Sequence, residues 1–211
     1  MRLSLKPFFM VSFLLTLFFK LSEAEAQFYF GGNEQIQVTD INGLNPTEFL
    51  DEATEGLAVD TTRGLLFYSN VSSRFNPTVE KISLDGTGME EILSDNDLPV
   101  NDISPAGLAL DEGGMIVYIA DGLNDGRILS VNYDGSNPQI IIAGDSDGVT
   151  SGISDVAVDT VNNKLYWAKT NAIMRSDLDG TNIGMIAEVD PISGQEDNPV
   201  RASLLPASQR P

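Results

Sequence analysis

One phrase recurs three times along this chain, and that repetition limits the possible folds more than any other feature. "EGLAVDTTRGLLFYSN" begins at Glu55, "AGLALDEGGMIVYIAD" at Ala106 and "SDVAVDTVNNKLYWAK" at Ser154. A second phrase follows each one: "VEKISLDGTG", "RILSVNYDGSN" and "IMRSDLDGTN". Each unit closes on a short apolar run, "MEEIL", "PQIII" or "GMIA". Asp60, Asp111 and Asp159 mark the register at spacings of 51 and 48, and Gly86, Gly135 and Gly180 at 49 and 45. Tyr68, Tyr118 and Tyr166 repeat at 50 and 48. A unit this short cannot bury its own apolar surface, so consecutive units must stack on one another.

Each unit reads as four short strands. "GLAV", "GLAL" and "DVAV" are brief apolar runs suited to strands covered on both faces. "LLFYS", "MIVYIA" and "KLYWA" are rich in the β-branched and aromatic residues that strands favour. The loops between them, "DTTRG", "DEGG" and "DTVNN", hold Gly or Asn where a positive φ is expected. The Asp-Gly pairs predict a tight hairpin from third to fourth strand. Four strands at this period form a blade of a β-propeller. The blades are expected at about 55–93, 106–142 and 154–187. Asp60, Asp111 and Asp159 are expected to accept backbone hydrogen bonds in the turns that follow them.

Residues 34–50, "EQIQVTDINGLNPTEFL", match only the second half of a unit, with Asn42-Gly43 at the hairpin. They predict an N-terminal half blade. The tail, 188–211, diverges: laying "LLPASQRP" on "VDTVNNKL" puts Leu205 where Asp159 stands, and the chain stops before a fourth Tyr is due. The expectation is the front portion of a longer propeller, or a reading frame cut or shifted near its end. A small complete protein with a disordered acidic tail is the other reading.

At these residues the chain resembles the YWTD repeats of low-density lipoprotein receptor propellers. "LYWAKT" with "SDLDGTN" is the nearest copy, while "FYSN" and "VYIAD" are looser. The resemblance covers about 55–187. It implies an all-β fold, a partial six-bladed β-propeller of about three four-stranded blades plus the N-terminal half blade. It also implies binding of protein ligands, as receptor propellers do.

The first 26 residues read as a secretory signal. Arg2 and Lys6 precede the apolar run Phe8 to Phe19, and Ala24-Glu25-Ala26 offers a cleavage pattern before Gln27. Twelve apolar residues are too few to span a bilayer, which takes about 20. The expected propeller region is therefore 27–211, secreted or extracytoplasmic, with no membrane insertion after cleavage. With 12 Lys and Arg against 31 Asp and Glu, the net charge of −19 disfavours nucleic acid and anionic lipid. There are no cysteines and no histidines. That excludes disulfides, His-based zinc sites and Ser-His or Cys-His nucleophiles.

Repeated residues in a propeller serve packing, and non-repeating loops carry function. The candidate ligand face comprises the loops from second to third strand and from fourth to next first strand. It offers Arg74, Phe75, Asp97, Asp102, Asp121, Asn124, Asp125 and Lys169. "GDSDG" makes Asp145 and Asp147 weak metal candidates, with calcium the cation considered. An EF-type loop fails there, because its twelfth position is Val156 instead of Glu. No other cofactor is expected. "NVS" at 70–72 fits a glycosylation sequon. The expected function is a non-catalytic binding or scaffold module for an extracellular protein or glycan, with self-association possible through open strand edges. The alternatives are a metal-dependent lactonase-type hydrolase on a six-bladed propeller, and a fragment inactive without further blades.

Overall fold

A computed structural model describes residues 27–73, 75–99, 102–122, 126–144 and 152–188, with the backbone of Thr16–Leu17. The strands form four four-stranded antiparallel sheets, each a simple meander. The first sheet holds β1 (Thr16–Leu17), β2 (Gln27–Gly31), β3 (Ile36–Asp40) and β4 (Thr47–Leu50). The second holds β5 (Thr54–Asp60), β6 (Leu65–Asn70), β7 (Thr78–Ser83) and β8 (Glu90–Leu93). The third holds β9 (Pro105–Asp111), β10 (Ile116–Asp121), β11 (Arg127–Asn132) and β12 (Gln139–Ile142). The fourth holds β13 (Asp155–Asp159), β14 (Lys164–Lys169), β15 (Ala172–Asp177) and β16 (Gly184–Glu188).

First strands pack beside first strands, β2 and β5 touch, and the sheets stack face to face. This is the architecture of a partial β-propeller, with each sheet a blade. The first sheet begins earlier than the repeat suggested. "QFYFG" supplies a second-type strand, and Thr16–Leu17, from the segment read as a leader, pairs with Phe28 and Tyr29.

Each interface between sheets is one apolar cluster. Tyr29 and Ile36 of the first sheet meet Leu57, Val59, Leu66, Tyr68 and Ile82. Phe67, Val79 and Leu93 meet Val117, Ile119 and Leu129. Tyr118, Ile128 and Ile142 meet Leu165, Trp167 and Met174. Successive strand residues point to opposite faces, so both faces of a middle sheet are buried and its strands are apolar throughout. That is why Leu66, Phe67, Tyr68 and Ser69 are all buried in β6.

The pairing corrects the tyrosine register by one place. Asp60 pairs with Leu65, Asp111 with Ile116 and Asp159 with Lys164. The counterpart of Tyr118 and Tyr166 is therefore Phe67. Tyr68 stands with Ile119 and Trp167, which face the preceding sheet.

Both sets of aspartates do structural work. Asp60, Asp111 and Asp159 accept from the backbone N–H three residues on, at 2.8, 2.9 and 3.1 Å. In the hairpins, Asp85, Asp134 and Asp179 accept from the backbone N–H and the hydroxyl of Thr87, Ser136 and Thr181. Those hydroxyl bonds, and then the N–H bonds, hold these carboxyls below the ordinary Asp value.

The left-handed position in the first loop is residue 64, 115 or 163. Gly64 and Asn163 suit it. In the middle loop, however, it falls on Met115 (φ 55°) and on neither of the adjacent glycines. A non-Gly residue there costs roughly 1–2 kcal/mol, partly offset in glycine by its greater freedom when unfolded. Met115→Gly is expected to raise stability by about 0.5–1 kcal/mol in urea unfolding, and Gly64→Met to lower it by a similar amount.

Candidate functional site

The loops from second to third strand and from fourth to next first strand gather around a cleft of about 950 Å³. The β2–β3 connection contributes Asn33 and Glu34, and the β4–β5 connection Asp51 and Ala53. Glu55 comes from the start of β5. The β6–β7 loop contributes Ser72, Ser73 and Phe75, and the β8–β9 loop Asp95, Asp102 and Ser104. These segments are far apart in sequence, and the stacking of the first three sheets brings them together.

Local hydrogen bonds shape one wall. Ser72 donates to Glu52 at 2.6 Å and accepts from the Ala53 N–H at 2.8 Å. The Val71 N–H donates to the Ala53 carbonyl at 3.0 Å. Asn70 accepts from the Ser72 N–H at 3.1 Å while its amide nitrogen donates to Glu80 at 2.9 Å. The nitrogen that a glycan would join is therefore engaged within the sheet. Glu80 also accepts from Thr78 and from the buried Tyr68 hydroxyl at 2.5 Å. Burial first, then this carboxylate, pushes the Tyr68 phenol up.

Among the described residues, the charged lining of the cleft is acidic. Glu34, Asp51, Glu55, Asp95 and Asp102 line it, and no lysine or arginine does so among the described residues. Phe75 stands at its edge with 88% of its surface exposed, an apolar contact surface beside the carboxylates.

Of the residues singled out in the sequence, Phe75 and Asp102 line this cleft. Asp97 does not. It closes a short 3-10 turn, Asp95–Asp97, by accepting from the backbone and hydroxyl of Ser94, both at 2.7 Å. Asp121 is a correction. It ends β10 with no exposed surface, accepting from Arg127 Nε at 2.6 Å and from the Ser104 N–H at 2.8 Å. Arg127 also donates to the Asp102 carbonyl at 2.5 Å. This pair ties the β8–β9 loop to β10, so Asp121 shapes the face without presenting itself there. Lys169 is half-buried at the end of β14, away from the cleft. Arg74, Asn124, Asp125, Asp145 and Asp147 lie outside the described residues.

Glu34, Asp51, Glu55 and Asp95 were not singled out from sequence. The net acidity was the available signal, but it did not say which carboxylates converge. Among the described residues, no group of three or more Asp or Glu is positioned to hold a metal ion. None of their helices is long and apolar enough to cross a membrane.

No family model matches the chain. Over 90 residues it is 33% identical to Protein cueball of Drosophila ananassae, covering 42% of this chain and 13% of that protein. Over 89 residues it is 32% identical to Protein cueball of Drosophila willistoni, covering 41% of this chain and 13% of that one. The match thus spans about an eighth of the length of these relatives. Among solved structures, the crystal structure of the nidogen/laminin complex superposes with a TM-score of 0.62 at 24% identity, over 76% of this chain and 60% of that chain. A TolB described as putative, from Agrobacterium tumefaciens, superposes at 0.57 with 13% identity, over 75% and 60%. TolB from Acinetobacter baumannii superposes at 0.55 with 16% identity, over 74% and 40%. At these identities the likeness establishes the β-propeller fold.

Proposed function

We propose that the chain is a secreted, non-catalytic propeller module of the YWTD-repeat type, which binds an extracellular protein at its loop face. The observation that carries this reading is the open cleft formed by non-repeating loops, with Phe75 exposed beside five carboxylates. Repeated side chains are consumed in packing and turns, which leaves this face for recognition. A structural neighbour described as a nidogen/laminin complex supports a protein partner by analogy. The carboxylates favour a partner surface bearing lysine or arginine. The leader at 1–26 supports secretion. Its removal would take β1 away and leave β2 as the edge of the first sheet.

The test is a binding screen of the purified chain against extracellular proteins and neutral glycans, with each binder retested on variants. Phe75→Ala combined with Asp51→Lys and Asp95→Lys should weaken a genuine loop-face partner at least tenfold. Asp134→Lys, at a hairpin away from the cleft, should leave it unchanged. A binder indifferent to the cleft variants, or turnover of lactone or aryl-glycoside substrates, would overturn the reading. Binding confined to neutral glycans would replace the protein partner by a sugar.

A further inference from the structure

We propose that Asn42, in the β3–β4 hairpin, is a site of covalent self-modification: the Gly43 backbone nitrogen displaces the side-chain amide as ammonia, and water then leaves aspartate or isoaspartate. The meander puts this hairpin at the opposite end of the strands from the loops that line the cleft. The inference therefore stands apart from ligand binding.

The four sheets repeat one hairpin and differ in how it is held. Asp85-Gly86, Asp134-Gly135 and Asp179-Gly180 share a place with Asn42-Gly43, the sole Asn-Gly pair in the sequence. In the last three sheets a backbone bond closes the turn. Ser83, Asn132 and Asp177 donate their N–H to the carbonyls of Thr87, Ser136 and Thr181, at 2.9, 3.0 and 2.9 Å. In the first sheet the Thr39 hydroxyl takes the matching carbonyl, that of Leu44, at 2.8 Å. The carboxylates of Asp85, Asp134 and Asp179 are each held by the N–H and the hydroxyl of the residue two places on. Leu44, at that place in the first hairpin, has no hydroxyl, and its N–H donates to Asp40 at 3.1 Å. Asp40 also accepts from the Asn42 N–H at 2.9 Å. Asp40 thus does what residue 42 does elsewhere, and no hydrogen bond to the described residues holds the Asn42 carboxamide.

The surroundings leave it room. Gly135 and Gly180 press on Ile92 and Ile141 of the preceding sheets, whereas nothing lies within 4 Å of a Cβ placed on Gly43. Ile41 and Leu44, on either side, are 47% and 60% exposed. Gly86 is equally open, so openness alone does not set the first hairpin apart. The unheld carboxamide does.

The chemistry needs only water. The Gly43 nitrogen gives its proton to a solvent base and bonds to Asn42 Cγ, closing a five-membered imide. The amide nitrogen takes up a proton and leaves as ammonia. Water then opens the ring at either carbonyl. Glycine favours closure, because it has no Cβ to hinder the approach and its backbone turns freely. In all four hairpins the glycine N–H donates to the carbonyl three residues back, at 2.8–3.0 Å, so attack waits for that bond to open in each. An ionised carboxylate is a far poorer electrophile than an amide. The bonds that hold Asp85, Asp134 and Asp179 also keep them ionised. Ring closure therefore selects Asn42.

Either product disturbs the hairpin. Aspartate adds a negative charge close to Asp40, with no hydroxyl at position 44 to receive it. Isoaspartate routes the main chain through the side-chain carbon and lengthens the turn. β4 follows directly, pairs with β3 over a short and irregular register, and sets Phe49 edge-on to Tyr29 at 5.1 Å between ring centroids. Its hold on the sheet should weaken.

The test is to incubate the purified, folded chain in mildly alkaline buffer and follow it by peptide mass mapping and anion exchange. The expected result is loss of the amide at position 42, with both aspartate and isoaspartate found there, while Asp85, Asp134 and Asp179 stay unchanged. The modified form should elute as the more acidic species and exchange the amides of Thr47–Leu50 faster than the parent. Asn42→Gln keeps a carboxamide but would need a larger ring. It should abolish the acidic species with an unchanged melt. An Asn42 amide that survives in the folded chain and is lost only in urea would overturn the proposal. So would prior conversion of another asparagine, isomerisation at the three Asp-Gly hairpins at the same pace, or an acidic species that persists in Asn42→Gln.

Discussion

Gly56→Ala is expected to destabilise the chain by about 3 kcal/mol, the upper part of the range for overpacked interiors. A Cβ at position 56 would stand 1.9 Å from the Ala106 carbonyl oxygen and 3.2 Å from the Gly107 Cα. Both are backbone atoms of β9, so no rotamer change relieves the clash. The two innermost strands would have to move apart, loosening the cluster that joins the second and third sheets. Gly184→Ala is the control, because nothing lies within 4 Å of its Cβ position. Urea unfolding of the two variants gives the comparison. Equal midpoints would mean that the inner strands do not approach this closely.

Trp167→Ala is expected to cost about 3–5 kcal/mol. The indole is completely buried between the third and fourth sheets, against a cluster that includes Tyr118, Ile128, Ile142 and Met174. Tyr166→Ala, one residue earlier and half-buried on the opposite face, should cost much less. The chain has a single tryptophan, so its own fluorescence reports the unfolding of the parent. Emission should be that of a dry indole and should shift to the red as the sheets separate. If Tyr166→Ala proved the more damaging, the assignment of faces in β14 would be reversed.

The repeat made the architecture legible because the same packing problem is solved three times with similar residues. Asp60, Asp111 and Asp159 could be read as turn acceptors because their partners lie within three residues. The tyrosine series misled where two aromatics adjoin. Phe67 and Tyr68 both look like the repeated ring, and only strand pairing shows which faces forward. Asp121 lies in "ADGLNDG", a stretch full of loop signals, yet its side chain turns inward to Arg127 because the hairpin register sets Asp121 opposite Arg127. "DEGGM" offered two glycines, but the positive φ falls on Met115 beyond them. The cleft was the least legible feature. Its carboxylates come from the β2–β3, β4–β5 and β8–β9 connections and the start of β5, and only the stacking of the sheets defines which ones converge.

The main contacts between sheets all join consecutive sheets. Thermodynamically, such a stack behaves as a short linear array, in which each unit contributes its own term and is coupled to its nearest neighbours. The second and third sheets are held from two sides, so their amides should be the last to exchange with solvent. Cooperativity then resides in the three interfaces rather than in any single sheet. A substitution that weakens one interface would leave the array melting in two parts instead of one.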